Sequence, residues 1–126
     1  MYVIPANAAI PPSAIPGIAH RTLARYGDGL ESMSVWKQTM APGGRTPPHR
    51  HDCDETVVVL AGSGVLLIDG RALPFAAGDT LVLPAGRVHQ IVNDGTEPVV
   101  TVAAFASSPV VTALPDGQTI ELPWAS

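Results

Sequence analysis

The sequence predicts an all-β fold, and three observations carry that prediction. Its apolar runs are short and rich in β-branched residues: TVVVLA at 56–61, VLLI at 65–68, TLVL at 80–83 and VVTVAAF at 99–105. Glycine (12) and proline (13) separate these runs at close spacing, as the turns of a sandwich or barrel require. No stretch sustains the 3.6-residue apolar period of an amphipathic helix.

Taken in order, the chain begins with Pro5, Pro11, Pro12 and Pro16. Proline fixes φ and donates no hydrogen bond, so residues 1–30 are expected to hold an extended arm, either loose or packed on a barrel. One helical turn is expected over 18–26, IAHRTLARY, where His20 is read as a structural or exposed residue. The barrel domain is expected over 31–126. A first strand over 33–40, MSVWKQTM, carries Trp36. Asp69-Gly70 is a two-residue hairpin signal, and 71–75 supplies the return strand. Further strands are expected over 80–83, 88–92 and 99–105. Pro84-Ala85-Gly86 and Asn93-Asp94-Gly95 make turns. Residues 109–117 read as loop, and 119–122 as a last edge strand. Several of these strands are apolar on both faces, so both faces need cover, one from the barrel interior and the other from a second sheet or a second subunit.

Composition narrows the function. The net charge is −4, and no cluster of lysine and arginine exists, which argues against nucleic acid and anionic membrane surfaces. No apolar run is long enough for a membrane-spanning helix. The apolar N-terminus lacks a basic start and is interrupted by prolines, so it is not read as a signal peptide. The single cysteine, Cys53, permits no internal disulfide. A cytoplasmic location is the resulting expectation.

Two dense stretches carry the chemistry. In the first, GGRTPPHRHDCDETVVVLAG at 43–62, His49 and His51 are two residues apart and share one face of a strand. Pro47 and Pro48 keep the approach extended. Glu55 stands at an even offset from both histidines and reaches the same face if the strand continues. In the second, GDTLVLPAGRVHQIVN at 78–93, His89 follows a Pro-Ala-Gly turn. Three imidazoles and a carboxylate form an N/O donor set that suits Fe, Mn, Ni, Co, Cu or Zn rather than Ca or Mg. An H-x-H pair beside acids is often only a surface feature, and here the spacing decides.

Gly43, His49, His51, Glu55 and Gly62 stand at the intervals G(X)5HXH(X)3–4E(X)6G, and Gly78, Pro84, Gly86, His89 and Asn93 at G(X)5PXG(X)2H(X)3N. Ten fixed positions in order make the chain resemble the cupin family over roughly its middle 50 residues. The resemblance implies a jelly-roll barrel of six or more strands. It also implies one divalent metal held by His49, His51, Glu55 and His89, glycines in turns, Asn93 closing the turn after the His89 strand, and a homodimer. Strand parity then points Val57 and Val59 inward with Glu55 and Ile91 inward with His89, and these, with some of Trp36, Gln38, Met40 and Phe105, are expected to line a largely apolar pocket. Cys53 is either a further ligand or a small residue packed near the rim. Arg45, Arg50 and Arg87 flank the motifs, either to meet an anionic substrate or as solvated turn residues.

The function expected from these features is a metal-dependent enzyme, dioxygenase-like, acting on a small apolar, aromatic or enol substrate. Glu55 would hold the metal and act as a base. Alternatives are a metal-dependent isomerase, cyclase or lyase, and a non-catalytic small-molecule-binding module.

Overall fold

The computed structural model describes residues 2–6 and 12–126, and no helix occurs among them. Twelve strands follow in chain order: β1 (Ser13–Ile15), β2 (Ile18–Ala24), β3 (Ser34–Met40), β4 (Arg50–His51), β5 (Glu55–Ala61), β6 (Ser63–Ile68), β7 (Arg71–Ala76), β8 (Thr80–Leu83), β9 (His89–Val92), β10 (Val99–Phe105), β11 (Thr112–Ala113) and β12 (Thr119–Ile120). They form a six-stranded sheet in the order β1-β2-β3-β10-β5-β8, and two three-stranded sheets, β12-β11-β4 and β7-β6-β9. Every pairing between these strands is antiparallel. The fold is the all-β jelly roll.

The period of two along each strand sorts the core. On β10, Val99, Thr101, Ala103 and Phe105 are buried while their alternates are half-buried. On β5, Glu55, Val57 and Val59 are buried, while Val58 (39%) and Leu60 (53%) are exposed; Val82 of β8 is 68% exposed. The inner face therefore forms the core. The outer face of these doubly apolar strands is open to solvent in the single chain.

The helical turn expected over 18–26 is not formed. Ile18–Ala24 is instead strand β2, paired with β3 on one side and β1 on the other. The physical reason is parity: Ile18, His20 and Thr22 all lie on the buried face, with Ala19 exposed and Arg21 half-buried between them. The span 109–117, expected as loop, contains β11, which bridges β4 to β12. The last edge strand is shorter than expected, at two residues. Within the proline-rich arm, Ser13–Ile15 pairs as β1, the Ala6 carbonyl accepts a bond from Arg21, and residues 7–11 lie outside the described residues.

Turn glycines fit the motif. Gly62 adopts φ +83°, and a Cβ there would stand 2.4 Å from the Pro98 carbonyl oxygen, so no larger residue fits without backbone movement.

Candidate metal centre

The two motif stretches lie side by side. Gly43 N donates to Asn93 O (2.9 Å), Thr46 N to Ile91 O (3.0 Å) and Gly86 N to His51 O (2.8 Å). His49 and His89 exchange both backbone hydrogen bonds. Asn93, fully buried, donates its side-chain amide to Met40 O and Glu97 O and accepts from Gly95 N, so it fixes the turn that follows β9.

This pairing gathers the side chains. Ring nitrogens of His49, His51 and His89 all lie within 4.8 Å of one another, and all three residues are buried. Each Nδ1 faces a backbone carbonyl: Pro47 O at 2.7 Å, Val111 O at 3.0 Å and Arg87 O at 3.0 Å. A carbonyl can only accept, so each Nδ1 carries the proton and each Nε2 keeps its lone pair. Thr112 Oγ1, at 3.2 Å, also contacts His51 Nδ1. Phe105 meets the His51 ring edge-on, with centroids 5.0 Å apart.

Burial sets the charge states. It pushes His49 down to about 3, helped by repulsion from His89; it pushes His51 down to about 4, and His89 down as well. Glu55 is pushed up to about 8 by desolvation. Three neutral imidazoles therefore converge without protons on their inner nitrogens, which is the state a metal ion requires.

Glu55 stands just outside the three-histidine cluster. Its Oε1 is 3.4 Å from His51 Nε2 and 3.6 Å from His89 Nε2. These gaps are too long for good hydrogen bonds, and Oε1 is buried with no hydrogen-bond partner among the described residues. Donors about 2.1 Å from a common ion stand about 3 Å apart when cis. The orphaned oxygen and the three inner nitrogens thus fit a transition ion with N/O ligands, and three histidines of this chain could hold one. Such an ion is not part of the structure, and its identity is left open by the donor set.

A cavity of about 190 Å³ adjoins the cluster. Val57 and Ile91, expected from parity, line it, as do Trp36 and Gln38 of the further candidates. Met40, Val59 and Phe105 share the inner face but sit in the core beside it rather than in the lining. Lining residues that parity reasoning passed over include Thr101 and Ala103, which share the face of Phe105 on β10, and the segment from Ile120 to Trp124. The alternation on β10 was a usable signal. The 120–124 segment carries none.

Cys53 is half-buried, packs against the core and lies outside the donor cluster. Burial and the nearby Asp52 raise its thiol above the ordinary range. None of Arg45, Arg50 and Arg87 lines the cavity, and Arg87 pairs with Asp69 at 2.9 Å on the surface. His20 is buried behind the lining, stacked on Trp124 at 3.7 Å. No helix of the described residues is long and apolar enough to cross a membrane.

Comparisons with known proteins agree with this geometry. Auxin-binding protein 1 of Arabidopsis thaliana is 35% identical over 105 residues, covering 75% of this chain and 53% of that protein. Gentisate 1,2-dioxygenase of Ralstonia sp is 35% identical over 85 residues, covering 62% of this chain and 24% of that protein. The chain thus spans about half the length, or less, of these curated relatives. A Cupin 2 conserved barrel domain protein from Salinispora arenicola superposes with a TM-score of 0.69 at 26% identity, covering 83% of this chain and 87% of that one. The family model described as "Cupin domain" matches residues 36–105, more than half of the chain. With both histidine motifs folded into one antiparallel barrel inside that span, this chain belongs to the cupin family.

Proposed function

We propose that His49, His51, Glu55 and His89 together hold one divalent transition metal, and that the chain is a dioxygenase-like enzyme for a small apolar, aromatic or enol substrate. The observation that carries this reading is the cavity. It opens directly on the histidine cluster, its wall is mostly apolar, and no lysine or arginine lines it. A phosphorylated sugar would find no side-chain cation there. An engineered cavity of about 150 Å³ holds benzene, so a single substituted ring is a reasonable size here.

When bound, such an ion supplies Lewis acidity and, if redox-active, a site for oxygen. The residues supply the rest. The three Nδ1 protons anchored on carbonyls hold the imidazoles in the metal-binding tautomer. Glu55, when it leaves the ion, offers a buried carboxylate beside the substrate cavity, which suits it to act as a base on an enol or phenol. The gentisate dioxygenase relative supports oxygen chemistry on an aromatic substrate.

The test is oxygen uptake by metal-loaded protein with a panel of phenols and diketones. Uptake that requires both metal and one of these substrates supports the reading. Metal-dependent binding of the same compounds without turnover favours a second reading, a non-catalytic small-molecule-binding cupin. The resemblance to auxin-binding proteins, named for the ligand they bind, supports that alternative.

A further inference from the structure

The cavity has a second polar end. Across the six-stranded sheet, His20, Gln38 and Thr101 form one cross-strand row, and Glu55 pairs with Phe105 in another. Four residues of β10, about 13 Å, separate the Thr101 row from the Phe105 row. Gln38 and Thr101 both line the cavity, and the row of Trp36, Ala103 and Val57, which also lines it, stands between them and Glu55.

A directed chain of hydrogen bonds fixes the Gln38 amide. The Thr22 hydroxyl donates to Ala125 O at 2.6 Å, so its oxygen is left to accept. His20 Nε2, 2.8 Å away, therefore donates to Thr22. Burial holds His20 neutral by lowering it to about 4, so its Nδ1 is left as an acceptor. The Gln38 amide group at 3.0 Å must then turn its NH2 toward Nδ1. Its carbonyl oxygen is left over, with no hydrogen-bond partner among the described residues, on a side chain that lines the cavity.

We propose that Gln38 is a specificity-determining residue, whose carbonyl oxygen accepts a hydrogen bond from a hydroxyl or N–H at the end of the ligand remote from the metal. His20 is its positioning residue. The proposal rests on the metal-pocket reading above and sharpens it: the ligand has an oxygen-bearing head for the metal, an apolar ring-sized body, and a hydrogen-bond donor at its far end. A ligand with an acceptor alone at that end would face the Gln38 carbonyl without a proton between them.

Three hydroxamate probes test this on Co(II)-loaded protein by calorimetry: benzohydroxamate, 4-hydroxybenzohydroxamate and 4-methoxybenzohydroxamate. All three offer the same metal-binding head. The 4-hydroxy probe should bind about tenfold more tightly than the 4-methoxy probe, as expected for one hydrogen bond to an otherwise unpartnered acceptor in the cavity. Gln38→Met, close in length but with only a weak thioether acceptor, should reduce the ratio to about twofold or less. Gln38→Glu, which keeps an acceptor, should preserve it. His20→Phe, which retains a ring against Trp124 but frees the Gln38 amide to turn, should also reduce the ratio. A ratio of affinities does not move with a general loss of stability. Equal affinity of the two probes in the wild type, or a preference that survives Gln38→Met, overturns the proposal. If benzohydroxamate itself binds equally with and without metal, the metal-pocket reading fails and this proposal with it.

Discussion

His49 and His89 are joined at the backbone by a reciprocal pair of hydrogen bonds, His49 N to His89 O at 3.0 Å and His89 N to His49 O at 2.8 Å. Forty residues apart in sequence, they are held in register by the backbone and not by their side chains. Their rings, 4.4 Å apart between centroids, are thereby preorganised before any ion arrives.

Preorganisation predicts proton release on metal uptake. With Glu55 raised to about 8 and the three histidines depressed, metal-free protein at pH 7 carries its extra proton on the carboxyl and none on the inner ring nitrogens. Binding a divalent ion should release about one proton per site. Calorimetric titration in buffers of different ionisation enthalpy measures it. Glu55→Gln should release close to none.

The same shifts shape the stability of the metal-free protein. The Glu55 carboxyl has a folded value above its ordinary one, so its contribution is present at low pH and is lost as pH rises toward about 8. The histidines have folded values below their ordinary one, so their contribution is present above about pH 6.5 and is lost as pH falls through about 4. Metal-free protein should therefore melt at its highest temperature between about pH 6 and 7. A melting temperature that climbs steadily from pH 6.5 to 8.5 would contradict this. The apolar core stands apart from the site, so the chain should fold without metal. Metal at 100 times its dissociation constant should add about 2.7 kcal/mol. Loss of β-type circular dichroism on treatment with EDTA would contradict that part.

The strands β5 to β10 were legible because their apolar runs alternate with turn residues, and 80–83 and 99–105 match to the residue. β2 was not, because its buried face carries His20 and Thr22 and so looks polar. β11 is two residues long, too short to show any period, while β12, expected over 119–122, forms over its first two residues. The spacing of His49, His51 and His89 anticipated that the three converge, because the motif intervals encode the backbone pairing itself. Parity identified which face a side chain takes but not how far along the strand the cavity extends. That is why Met40 and Val59 were expected in a lining they only adjoin. His20 gave no sign of its role, since its partners Gln38 and Trp124 come from distant parts of the chain.

The outward faces of β5 and β8 predict assembly. Val58, Leu60 and Val82 present apolar side chains to solvent on adjacent strands. Ile4 and Pro5 flank a groove on the same side of the sheet with Leu23, Leu60 and Val102. Large apolar patches are uncommon on monomers, and two-fold pairing is the commonest way to cover them. Light scattering at micromolar concentration should report a homodimer, and Val58→Lys with Val82→Lys should weaken it at least tenfold. A monomer mass that persists at high concentration would refute the dimer. A dimer that survives deletion of residues 1–16 would leave the sheet contact standing and remove the arm from it.

The most direct measurement of the central claim is metal content after purification without chelating resin. The account predicts about one transition metal per chain in the wild type and close to none when His49→Ala and His51→Ala are combined, with the β-type circular dichroism retained. Stoichiometric metal in the folded double variant would contradict it.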